Sequence, residues 1–133
     1  MRAVDTNILV RYYLRDDPAQ ARVADAILAR GEVFVPKTVM LELEWVLRAV
    51  AGQPAQAVAR CLSHLMSLPG VLVEGAGQAE IALGSYKRGM DFADALHLAS
   101  SNACTEMLTF DDRGFARRAR RLKLKPGVVV PRA

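Results

Sequence analysis

The chain is poor in the residues that many enzyme classes depend on. Its 133 residues include two cysteines, two histidines and one tryptophan, and aromatics make up only 6%. Cys61 and Cys104 have no partner at metal-ligand spacing, so both read as reduced thiols packed in apolar helices. His64 and His97 belong to no H-x-x-x-H or Cys/His zinc pattern. There is no G-x-S-x-G, no P-loop and no G-x-G-x-x-G, which argues against elbow-type serine hydrolases, P-loop nucleotidases and dinucleotide-binding enzymes. No apolar run approaches the ~20 residues of a membrane span. Charges at Arg2 and Asp5 interrupt any signal-peptide core, so a cytoplasmic protein with no membrane association is expected.

What is abundant is aliphatic side chains and scattered charge. About half of the residues are apolar and about a quarter charged, the balance of a soluble globular protein. Splitting residues 1–133 would leave neither half a useful core, so a single domain is expected. The formal net charge is +4, and seven of the eighteen Lys and Arg residues fall between Arg113 and Lys125. Such a cluster attracts phosphates or acidic protein surfaces, or it simply faces solvent.

Short β-branched runs alternate with longer amphipathic stretches. Asp17-Pro18 supplies a capping acid followed by a proline at the first helical position, and Gly31 stops that helix. Val33–Val35, Val71–Val73, Met107–Phe110 and Val128–Val130 read as strands, with a further one ending near Asp5. Thr38 is expected to cap a helix reaching about Val50, apolar nearly all round and therefore buried on several sides, with Trp45 in the core. Strands separated by helices imply parallel pairing. The fold class is α/β, a three-layer α/β/α sandwich whose sites form beyond the carboxyl ends of strands.

Most of the fourteen Asp and Glu residues have ordinary roles, as with Glu44, which has Arg48 one turn on. Four do not. Asp5 and Asp111 each follow a strand, and Glu42 lies in the apolar helix with no base at i+4. Asp94 follows Asp91 by three residues, so it is either a site acid or a first-turn acid complementing the helix dipole. Of Asp111 and Asp112, one can cap the basic helix and leave the other to face a cleft. Clustered carboxylates repel unless cations neutralise them, and oxygen-only ligands select hard ions such as Mg²⁺ or Mn²⁺. With Arg and Lys nearby, such a site points to phosphodiester chemistry.

Asp5-Thr6-Asn7, Glu42 within Leu41–Leu47, Phe92–His97 around Asp94, and Thr109-Phe110-Asp111 together resemble the PIN-domain family, and more narrowly the VapC-type toxins of toxin–antitoxin pairs. The resemblance runs through essentially the whole chain. It implies a central parallel five-stranded sheet between helices and a catalytic quartet of Asp5, Glu42, Asp94 and Asp111 holding one or two Mg²⁺ or Mn²⁺ ions. Asp91 and Asp112 are further candidates for a second ion, and Thr6, Asn7 and Thr109 match positions that support the acids. The implied activity is an endoribonuclease cutting structured transfer or ribosomal RNA, typically a homodimer held inactive by a small antitoxin. The basic residues Arg117, Arg118, Arg120 and Arg121 would then grip RNA backbone, contact an acidic antitoxin segment, or face solvent. Two alternatives stand beside this reading: an RNA-processing PIN nuclease without an antitoxin, and a non-catalytic binding module. The presence of all four acids argues against the second.

Overall fold

Asp17 and Gly31 bracket a helix as the sequence predicts, and most other boundaries also fall at their signals. The computed structural model describes all residues from Met1 to Ala133. In chain order the elements are β1 (Arg2–Ala3), α1 (Thr6–Leu14), α2 (Pro18–Arg30), β2 (Val33–Val35), α3 (Lys37–Trp45), α4 (Ala55–Ser67), β3 (Val71–Val73), α5 (Ala76–Lys87), α6 (Phe92–Ala99), β4 (Glu106–Leu108), α7 (Arg117–Arg121) and β5 (Gly127–Val129). Single π-helical turns extend α3 through Val46–Val50 and precede α7 at Asp112–Ala116. Every strand pair is parallel and helices separate the strands, as the α/β/α class requires. No helix is long and apolar enough to cross a membrane.

The strands form a three-stranded sheet, β1-β2-β3, and a two-stranded sheet, β4-β5, rather than the single five-stranded sheet expected. Each strand is only two or three residues long, so few ladder hydrogen bonds are available to extend a sheet sideways. The chain correspondingly divides into two compact units, Met1–Ala76 and Gly77–Ala133.

In the first unit, α1 packs on α2 and α3, and α4 packs against β3. Val33, Val35, Val58, Leu62 and Leu65 are fully buried, as their spacing predicts. The turns entering β2 and β3 meet closely: Gly31 and Gly70 both have φ of +78°, and a Cβ on Gly70 would lie 2.8 Å from the Gly31 Cα. Only glycine suits that crossing.

Helix α3 corrects three expectations. Pro36, not Thr38, precedes its first turn, and no side chain caps it. Its buried stripe is Val39, Met40, Leu43, Glu44 and Leu47, so Trp45, outside the stripe, is 53% exposed. Glu42, expected to be buried, is exposed, while Glu44 is 3% exposed. The reason is that a helix buries one face whatever its composition, and Arg48 Nε donates to Glu44 Oε2 at 2.6 Å, which satisfies the carboxylate on that face.

In the second unit, Phe92, Leu98, Ala82 and Ala116 are fully or almost fully buried, and the Tyr86 ring meets Phe92 edge-on at 5.4 Å. Helix α6 ends at Ala99. Cys104 therefore lies in an exposed turn, not in a helix, while Cys61 on α4 is half-buried.

Candidate active site

The sequence-predicted acids fall into two groups, one in each unit. In Met1–Ala76, Asp5 caps α1: Thr6 N donates to Asp5 Oδ1 at 2.7 Å. Thr6 itself is buried, and its hydroxyl donates to Glu42 Oε1 across from α3. One threonine thus serves two carboxylates, through its backbone N–H and through its side chain. The Asp5 and Glu42 side chains lie at the surface while the Thr6 that organises them is buried. Asn7 follows on the first turn of α1 and is exposed, without a side-chain hydrogen bond to either acid.

In Gly77–Ala133, a cavity of about 310 Å³ is lined by Met90, Asp91, Asp94, Asp111, Gly114, Phe115 and Arg118. Each acid arrives there for a local reason. Asp91 caps α6 by accepting from Asp94 N at 3.0 Å, which leaves Asp94 on the first turn of that helix. Thr109 Oγ1 accepts from Asp111 N at 3.0 Å, and Asp111 Oδ1 accepts from Gly114 N at 2.8 Å. Asp111 is therefore the acid that caps the basic segment, and it lines the cavity as well. Asp112 turns away and pairs with Arg120 at 3.3 Å on the surface.

Asp94 carries the clearest electrostatic signature. Burial raises its pKa above the ordinary carboxylate value, the nearby Asp91 and Asp111 charges raise it further, and His97 opposes them. The two sequence readings of Asp94 are thus compatible: it is a first-turn acid and it also faces two other carboxylates. Arg118, on the same cavity wall, donates to the Gly89 carbonyl oxygen, which holds its guanidinium in place. Arg117 and Arg121 are exposed.

Nowhere do three or more His, Cys, Asp or Glu side chains close up as a ready-made metal site. The donors on the cavity wall nevertheless fit a hard divalent cation. They are carboxylate oxygens, and the Asp94 carboxyl, raised in pKa by burial first and by the Asp91 and Asp111 charges second, is one whose charged form a bound cation would favour.

Two residues escaped the sequence reading. Gly114 looks like a spacer in the basic segment, yet a Cβ there would lie 2.6 Å from Asp111 Oδ2 and 2.9 Å from Oδ1. Only a residue without a side chain lets Asp111 fold back on its own cap. The D-x-x-G spacing of a capping acid three residues before a glycine could have signalled it. Phe115 is buried and lines the cavity, a place that no local signal in the sequence marks.

No curated protein matches the chain. The family model of the PIN domain matches residues 2–121, a span that runs through both units. PIN domains are generally nucleases, and such nucleases generally use divalent metals. By this match the chain belongs to the PIN-domain family.

Proposed function

We propose that this chain, as one nuclease domain, is a Mg²⁺- or Mn²⁺-dependent endoribonuclease, the toxin of a toxin–antitoxin pair, that cleaves structured RNA such as transfer or ribosomal RNA. The observation that carries the reading is the cavity where Asp91, Asp94 and Asp111 face one another beside Arg118. Mutually repelling carboxylates with a guanidinium at their edge suit a hard cation and a phosphodiester together.

By motif position, Asp5 and Glu42 in one unit and Asp94 and Asp111 in the other are assigned as the catalytic ligands. Asp91 is the better candidate for a second ion, because Asp112 is already paired with Arg120. A bound divalent cation supplies Lewis-acid polarisation and favours deprotonation of an attacking water. The protein's own groups do the rest. Thr6 fixes the Asp5 and Glu42 oxygens, Thr109 and the Gly114 N–H fix Asp111, and the remaining Arg118 N–H groups can donate to a phosphate oxygen. Arg117 and Arg121 offer exposed charge to the RNA backbone, where contacts position a substrate without specifying it. The same reading carries a homodimer, a small cognate antitoxin and a cytoplasmic site of action.

The test is cleavage of bulk cellular RNA by purified protein with Mn²⁺, with Mg²⁺ and with EDTA, beside Asp94→Asn. Discrete fragments are expected with metal and none with EDTA. The variant should lose more than the roughly 10- to 100-fold typical of outer-shell metal partners. Absence of cleavage across RNA pools and metals, from folded protein free of antitoxin, would overturn the enzyme assignment. Cleavage that no co-expressed antitoxin suppresses would instead mark an RNA-processing nuclease.

A further inference from the structure

The acidic cavity adjoins a second depression in the same unit, of about 560 Å³, whose walls include Asp94, His97, Ser101, Leu108, Thr109 and Phe115. Asp94 and Phe115 line both, so the groove begins where the carboxylates stand. Its lining mixes hydroxyls and an imidazole with aliphatic groups, a surface that suits a sugar and a base better than a bare phosphate.

Phe110 stands between the two in the chain: Thr109 lines the groove and Asp111 lines the acidic cavity. Its ring is 87% exposed, the most exposed of the large apolar side chains. Leu108 and Val129, partners across β4 and β5, are 57% and 39% exposed. The backbone here is held, not loose. Asp111 N donates to Thr109 Oγ1 at 3.0 Å, and Asp112 N donates to the Phe110 carbonyl oxygen at 3.1 Å. An exposed aromatic ring, carried on a held backbone between a residue of the groove and a residue of the acidic cavity, can serve as a platform, because every nucleobase presents a face that can stack on it.

We propose that Phe110 is the stacking platform for the nucleobase next to the scissile phosphodiester, and that the groove past His97, Ser101 and Thr109 takes that nucleotide. The substrate at this point is then an unpaired RNA nucleotide, in a loop or bulge, with little preference among bases. The inference rests on the ribonuclease reading above and adds a substrate-positioning residue to it.

Short single-stranded oligoribonucleotides carrying 2-aminopurine at successive positions test it, with binding measured in EDTA and cleavage in Mn²⁺. Phe110→Ala should weaken binding about tenfold, raise KM by a similar factor with little change in kcat, and abolish the 2-aminopurine quenching seen at one position. Phe110→Trp should restore all three, whereas Phe110→Leu, which keeps apolar area without a π-face, should not. The ring is solvated, so thermal stability should not change among the variants. Cleavage by the wild type with unchanged binding and quenching in Phe110→Ala, or equal rescue by Leu and Trp, overturns the inference and leaves the ribonuclease reading intact. A wild-type protein that neither binds nor cleaves these or cellular RNAs overturns both.

Discussion

In Met1–Ala76 the carboxylates of Asp5 and Glu42 both answer to Thr6, whereas in Gly77–Ala133 Asp94 faces Asp91 and Asp111 and gains only His97 as a counterweight. The first arrangement is set by hydrogen bonds from a buried neutral residue. The second is set by backbone caps that carry three acids to one cavity and leave their charges opposed. Hydrogen-bond positioning stabilises the fold and the site together. Burying like charges together does the reverse, since the fold bears a cost that protonation or a bound cation relieves.

The strongest way to break the comparison is Gly114→Ala. The new Cβ would overlap both Asp111 oxygens, so the carboxylate must swing off its cap and away from its place on the cavity wall. RNA cleavage should fall roughly 10- to 100-fold, the range for disturbed metal-site partners. Stability should fall by only about 1 kcal/mol, the worth of one cap. Wild-type activity in Gly114→Ala would mean that Asp111 needs no fixed position.

Thr6→Val probes the other unit and should do less to turnover. It keeps shape and leaves the backbone donor to Asp5 in place, but removes the hydroxyl that donates to Glu42. Loss of that hydrogen bond should cost about 1 kcal/mol in denaturant unfolding. Cleavage should drop a few-fold and return with Thr6→Ser. If Thr6→Val proved as damaging to catalysis as Gly114→Ala, the contrast between a hydrogen-bonded pair and a charge-opposed cavity would fail.

The contrast also shows what could be read from residues alone. Strand positions, the Asp17 and Asp91 caps and the core face of α4 were legible because each is a local matter of period and capping chemistry. The core face of α2 was not: Val23, Ala26 and Ile27 keep helical spacing, yet Ala21, Ala24 and Leu28 are the residues it buries. The acids Asp5, Asp94 and Asp111 were legible as element-end residues, and with Glu42 as matches to a family pattern. The environment of Glu42 was not legible. Leu41–Leu47 is apolar on nearly every side, and composition cannot say which stripe faces inward; the structure buries Glu44 with Arg48 and leaves Glu42 at the surface with Thr6. The pairing of Thr6 with Glu42 spans 36 residues, beyond any local signal. The split into a three-stranded and a two-stranded sheet was equally hidden, because strand pairing is a long-range choice made by very short strands.

The smallest expected effect is thermal, and it reads the combined cost of burying Asp94 and facing it with Asp91 and Asp111. The folded pKa of Asp94 lies above its ordinary value, so the folded state favours the protonated carboxyl and is penalised once that group ionises. In EDTA, Asp94→Asn should therefore melt a few degrees above the wild type near neutral pH. The gap should narrow as pH falls from neutral through the raised pKa, because the wild-type carboxyl then takes up its proton. Added Mg²⁺ or Mn²⁺ should close the gap from the other side, by stabilising the wild type more than the variant. Differential scanning calorimetry of both proteins across pH, with and without metal, reads all three trends. A variant that melts below the wild type in EDTA at neutral pH would show that Asp94 contributes to the fold as a helix-dipole partner more than it strains it. The second unit would then be organised like the first, by local stabilising contacts, and its affinity for cations would have to come from donor geometry without any relief of repulsion.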